Sequence, residues 1–161
     1  MHVAFTGHRP HKLGGYDNDT NQCGYVLSEI HREIRQLQNI EPVTIISGMA
    51  LGVDTWAAEY AIHEGIPFKA YIPFAGQEGK WPPASQTRYH EILKSAIETK
   101  VICSGGYSAW KMQERNKAMV NDCSVLIAVW DGTTGGTGNC VKFAEDINRR
   151  VIRIHPYPEG V

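Results

Sequence analysis

Apolar positions along the chain alternate between two patterns. Short continuous runs occur at His2–Thr6 (HVAFT), Val43–Ser47 (VTIIS), Phe68–Pro73 (FKAYIP), Val101–Cys103, Val125–Trp130 (VLIAVW) and Val151–Ile154. Runs rich in Val and Ile suit strands buried on both faces, as in a parallel sheet. Between them, apolar residues recur every three or four positions. One such stripe is Val26, Leu27, Ile30, Ile34 and Leu37, within 20–38. The others are Val53, Trp56, Ala57, Tyr60 and Ala61; Tyr89, Ile92, Leu93, Ala96 and Ile97; Met112, Asn116, Met119, Val120 and Cys123; and Val141, Ala144 and Ile147. That spacing predicts five amphipathic helices. Gly65 stands where the second helix should end, and Pro42 closes the connection after the first.

Strand and helix therefore alternate six strands to five helices, with short connections. The pattern predicts one α/β domain over 1–161, a Rossmann-like three-layer sandwich with a mostly parallel sheet and right-handed crossovers. No internal repeat, low-complexity segment or linker divides the chain. In such sheets ligands bind beyond the carboxyl ends of the strands, where strand order reverses. The residues that follow each strand become one collective candidate site.

The fifth strand runs into Asp131, Gly132, Thr133, Thr134, Gly135, Gly136 and Thr137, then a helix containing Asn139. A glycine-rich turn between strand and helix lets the backbone approach an anion and aims free N–H groups at it. It can equally be an ordinary connection. Strand one ends in Thr6, Gly7, His8, Arg9 and Pro10. Arg9 can hold a phosphate or carboxylate bidentately, or it can be a solvated surface residue. The Gly14–Gly15 pair marks this segment as loop rather than helix. Strand two ends in Ser47, Gly48 and Met49, and Asp54 follows near the next helix start, where it can cap the helix or meet a ribose hydroxyl. The loop 74–83 carries Phe74 and Trp81, with Arg88 beyond. Its aromatics can stack on a base or fold over the sheet edge. Arg115 and Asn116 lie on the fourth helix. Asn116 shares the apolar stripe and needs hydrogen-bond partners if buried.

Composition narrows the functional classes. The net charge of −1 gives no basic excess of the kind that marks a sequence-independent nucleic-acid binder. Nucleic acid is accordingly not the expected partner. The four cysteines show no CxxC or Cys/His metal spacing, so neither a metal site nor a required cofactor is expected. Scattered thiols, no leader-like segment and no long apolar span predict a cytoplasmic chain that does not enter a membrane. The phosphate-binding GxxxxGK motif, the dinucleotide GxGxxG after strand one, HExxH and the GxSxG elbow are all absent.

Three segments together, FTGHRPHKLGGY (5–16), ISGMALGVDTWAAE (46–59) and RNKAMVNDCSVLIAVWDGTTGGTGN (115–139), resemble the SLOG superfamily, which groups the DNA-processing protein DprA with the LOG cytokinin-activating proteins. The resemblance is to the YpsA-like bacterial and phage branch and covers nearly the whole chain. It implies a Rossmann-like fold and a pocket for a nucleotide-derived ligand. LOG enzymes are phosphoribohydrolases, and their motif pairs an Arg on the penultimate helix with a Glu just after the Gly-Gly-x-Gly-Thr turn. Arg115 matches that Arg and Gly136-Thr137 the Gly-Thr, but Cys140 stands where the Glu is expected.

The expected function is binding, sensing or sequestration of a nucleotide or nucleotide-derived molecule. The residues expected to serve it are Thr6, Gly7, His8, Arg9, Ser47, Gly48, Met49, Asp54, Phe74, Arg88, Arg115, Asn116, Asp131, Gly132, Gly135, Gly136, Thr137 and Asn139. The alternatives are a phosphoribohydrolase or N-glycosidase using Arg115 with Asp131 or Asp54, and DprA-like binding of single-stranded DNA. The resemblance also implies a homo-oligomer.

Overall fold

The computed structural model describes residues 1–14 and 20–157. Gly15 and Tyr16, which the sequence reading used as loop and motif residues, lie outside the described residues. The strands are β1 (His2–Gly7), β2 (Thr44–Ser47), β3 (Phe68–Ile72), β4 (Glu98–Val101), β5 (Val125–Val129) and β6 (Arg150–Ile154). The helices are α1 (Asn21–Gln38), α2 (Val53–Glu64), α3 (Pro83–Leu93), α4 (Ala109–Asp122) and α5 (Gly136–Asp146). A short 3-10 turn covers Pro10–Lys12, where a plain loop was expected. Pro10 presets φ for the tight turn, and Leu13 closes it by donating to the Pro10 carbonyl at 2.9 Å.

The sheet order is β4-β3-β2-β1-β5-β6, and every neighbouring pair is parallel. The order reverses between β1 and β5. Strand alternation sends Val3, Phe5, Ile45 and Ile127 to the face covered by α1, α2 and α3, and Ala4, Ile46 and Leu126 to the face covered by α4 and α5. All seven are 0% exposed. Burial of each large aliphatic or aromatic side chain contributes roughly 1.5–3 kcal/mol. Thr20 caps α1 through its hydroxyl, which accepts from the Cys23 N–H at 3.1 Å. Gly65 ends α2 in the left-handed region at φ 70°, as its position implied.

Two elements differ from expectation. Helix α3 ends at Leu93, so Ala96 and Ile97 lie beyond it, and β4 begins at Glu98 rather than Val101. The Ile97 N–H is taken by the Phe68 carbonyl at 2.9 Å, which pulls the chain to the sheet earlier than the apolar stripe implied. β4 is an edge strand with mostly exposed residues, so it lacks the continuous apolar run that marks the buried strands. No described helix is long and apolar enough to cross a membrane.

Candidate functional site

At the carboxyl ends of β1 and β5, where the order reverses, a cleft of about 450 Å³ opens. Three loops and α4 wall it. Of the sequence-predicted residues, Thr6, Gly7, His8, Arg9, Asp54, Arg115, Asn116, Gly135, Gly136 and Thr137 line it together.

One wall is built for an anion. α5 starts at Gly136 with no side-chain cap and no acid in its first turn. Its leading N–H groups and the positive end of its dipole are therefore left for a ligand. Gly135 enters the helix at φ 145°, ψ −164°, a region open essentially to glycine alone. The Arg9 guanidinium faces the same space and has no hydrogen bond or ion pair among the described residues.

Below this wall Asp131 is the centre of a polar knot. Its Oδ1 accepts from the Thr133 hydroxyl at 2.6 Å and the Thr133 N–H at 3.0 Å, and its Oδ2 from Lys12 Nζ at 3.1 Å. His8 Nε2 stands 2.9 Å from Oδ1 and 3.1 Å from the Asp131 backbone nitrogen. The Thr133 hydroxyl leads in holding the carboxyl far below the usual carboxylate range, with the Thr133 N–H, Lys12 and His8 adding to it. Burial lowers the His8 pKa against the pull of Asp131. Lys12 also donates to the Thr133 hydroxyl at 3.0 Å, so it ties the β1 loop to the β5 loop.

The floor is charged and buried. Arg115 is 4% exposed. Its Nη1 donates to the Gly48 carbonyl at 2.6 Å and its Nε to Asn116 Oδ1 at 2.9 Å. Nη2 is left without a protein acceptor among the described residues. Gln77 donates to the same Gly48 carbonyl at 3.3 Å. Asp54 accepts from the Ala50 N–H at 3.3 Å. Burial pushes the Asp54 carboxyl up, while Arg115 and Arg9 pull it down. A Cβ on Gly48 would stand 2.5 Å from Arg115 Nη1 and 2.8 Å from Asp54 Oδ2, so only glycine lets both charges close over this turn.

The remaining predicted residues lie outside the cleft lining. Ser47 is fully buried and its hydroxyl is spent on the Asp54 carbonyl at 2.8 Å, so it shapes the β2–α2 turn from within. Met49 is fully buried at φ 58° and packs into the core. Phe74 is buried and meets Tyr107 edge-on. Arg88 is paired with Glu59 of α2 and is not a cleft residue. Asp131 and Gly132 form the turn behind the wall rather than its surface. Asn139 belongs to a smaller pocket between α4 and α5 with Gln113, Asn116 and Phe143. Cys140 is 1% exposed, beside the Thr6 hydroxyl, and burial pushes its thiol up to about 12.

Sequence reasoning missed Lys12, His11, Thr133, Thr134, Gln113 and Tyr107, all of which line the cleft. Lys12 was legible as a cation in the β1 loop. Gln113 sits two residues from Arg115, and only the turn of α4 shows that both face inward. Among the described residues no cluster of His, Cys, Asp or Glu is arranged to hold a metal.

Comparison with known proteins gives concordant results. The model of the YspA SLOG family matches residues 3–153. A UPF0398 protein of Halalkalibacterium halodurans is 29% identical over 143 residues, spanning 84% of this chain and 75% of the relative. Another from Lysinibacillus sphaericus is 27% identical over 165 residues, spanning 94% and 91%. Among solved structures, DNA processing protein A from Streptococcus pneumoniae superposes with a TM-score of 0.67 at 21% identity, over 98% of this chain and 51% of that one. The Helicobacter pylori protein, solved for its single-stranded DNA binding mode, gives 0.67 at 17% identity, over 99% and 67%. At these identities the likeness is one of fold, and this chain spans about half the length of the pneumococcal protein.

Proposed function

The chain belongs to the YspA SLOG family, and from that premise we propose that its cleft binds a phosphate-bearing nucleotide or nucleotide-derived ligand without turning it over. The observation that carries the reading is the convergence of three donor sets on one space. These are the uncapped start of α5, the unpaired Arg9 and the spare Nη2 of the buried Arg115. A dianionic phosphate satisfies all three, because charge-assisted bonds are strongest where water is excluded. The sugar then lies over Thr6 and Asp54.

The same geometry argues against hydrolysis. Breaking a glycosidic bond needs a carboxylate to stabilise positive charge on the sugar or to activate water. Asp131 is saturated by Thr133 and Lys12. Asp54 is buried, which disfavours its charged form, and Arg115 and Arg9 act against that. The position after Asn139 is a buried thiol. Calorimetric titration with ribose 5-phosphate, nucleoside monophosphates and ADP-ribose tests binding. Flat thermograms across that panel would sink the proposal, and release of free base on incubation would revive the hydrolase.

Single-stranded DNA is a second reading, favoured by the fold shared with the Helicobacter pylori protein. Near-neutral composition is a weaker argument against nucleic acid than the sequence suggested. Cations cluster locally, with Arg9 and Lys12 both on the cleft rim. A steep loss of oligonucleotide binding with added salt would identify this mode.

A further inference from the structure

Among the described residues seven large hydrophobic side chains are exposed, and two of them, Ile97 at 61% and Val101 at 54%, bracket the open edge strand β4. No strand among the described residues pairs with the outer side of β4, which leaves a row of backbone donors and acceptors open. Edge strands are ordinarily protected by charge, and β4 carries Glu98 and Lys100. Here the two charges have opposite sign and flank a central Thr99. A two-fold axis through Thr99, with two copies antiparallel, sets Glu98 of each opposite Lys100 of the other, and Ile97 opposite Val101.

We propose that the β4 edge is the contact surface for a second copy of this chain, paired antiparallel about Thr99 into one continuous sheet. The two faces of the pairing are chemically uniform. Glu98 and Lys100 are 40% and 44% exposed. Lys100 lies over the Tyr71 ring and 3.7 Å from Asp122, which places this pair on the α4 side of the sheet. Glu98 also lies 3.4 Å from Lys69 of β3. Alternation puts Ile97, Thr99 and Val101 on the opposite side, where the two-fold gathers four aliphatic side chains around two threonines. Opposite charges and apolar pairs directly across strands are the stabilising arrangements, and like charges the destabilising one. The opposite edge fails the same test. β6 carries Arg150 and Arg153 and no acid, so no antiparallel register of two copies sets opposite charges across it.

Analytical ultracentrifugation of the full chain tests the pairing. The expected species has twice the 17.9 kDa monomer mass. Ile97→Glu and Glu98→Lys each return it to monomer, and the swap Glu98→Lys with Lys100→Glu restores the dimer. Thr99→Cys supplies an independent readout. Either ladder geometry sets the two Cα atoms about 4.5–5.5 Å apart, within disulfide reach. Mild oxidation then gives a covalent dimer, whereas the wild-type chain, whose nearest cysteine is Cys103, gives none. A monomer at every attainable concentration, a dimer indifferent to Ile97→Glu and Glu98→Lys, or a Thr99→Cys chain that never cross-links would each overturn the proposal.

Discussion

Arg115 Nη1 and the Gly48 carbonyl meet at 2.6 Å, across 67 positions of sequence. The bond joins α4 to the turn after β2 and fixes the one buried guanidinium under the cleft. Replacing Gly48 with Ala drives a methyl into Nη1 and into Asp54 Oδ2. The side chains must shift, and overpacking of this kind costs about 1–3 kcal/mol. Chemical denaturation of Gly48→Ala should show that loss, together with weaker ligand binding.

Arg115→Met is expected to keep the volume and remove the fork. Loss of charge-assisted hydrogen bonds of about 1.5–3 kcal/mol predicts nucleotide affinity roughly 10- to 100-fold lower by calorimetry. Arg115→Lys should rescue little, since an ammonium cannot hold Gly48, Asn116 and a phosphate from one plane. Equal affinity in the Met variant would remove Arg115 from the binding site.

Gly135→Ala separates backbone from side chain. Nothing lies within 4 Å of the added Cβ, so any cost comes from φ 145° alone. A loss of about 1–3 kcal/mol is expected in thermal or urea melts. Binding of inorganic phosphate should weaken in parallel if the N–H groups of α5 hold it. A variant as stable as the wild type would mean that the turn adopts another conformation.

Acid acts on the fold in two windows. His8, His2 and His31 all have lowered pKa values, with burial as the leading cause. The unfolded chain therefore binds more protons just below its histidine pKa of about 6.5, and stability falls as pH drops through that range. Asp131 has a depressed pKa, so its contribution is intact above the ordinary carboxylate value of about 3.9 and is lost as pH falls towards the folded one. Asp131→Asn should be less stable at pH 7 and show a shallower decline below pH ~4. Urea midpoints measured from pH 8 to pH 3 check both windows.

The thiols should divide by burial. Cys23, Cys123 and Cys140 are buried and Cys103 is not. Burial pushes Cys123 up to about 11 and Cys140 up to about 12, so neither offers thiolate at neutral pH. A thiol-specific reagent should label one site quickly in the native chain, with the others appearing only as it unfolds. Rapid labelling of Cys140 would show that the α4–α5 seam opens.

The buried parts of this fold were written plainly in the chain, and the half-exposed parts were not. VLIAVW announced β5 because a strand covered on both faces needs apolar residues at every position. β4 reads ETKV, since an edge strand meets water, and the apolar stripe of α3 ran on into it through Ile97. The cleft was legible in part from residues that follow strands, as with Arg9 and Gly135, although Met49, Phe74 and Asp131 also follow strands and lie off its lining. Contacts made across the molecule were hidden. Arg88 looked like a cleft cation until its pairing with Glu59 placed it on the outside. Asp131 looked like a free acid until Lys12 and Thr133 filled its oxygens. Gln113 became a cleft residue only through the turn of α4.

The Gly48 carbonyl has two donors, Arg115 at 2.6 Å and Gln77 at 3.3 Å. With both donors in place the oxygen is fully engaged, and losing either one still leaves this buried acceptor a partner. Gln77 follows β3, Gly48 follows β2 and Arg115 stands on α4, so a single carbonyl pins three separate segments together beneath the cleft.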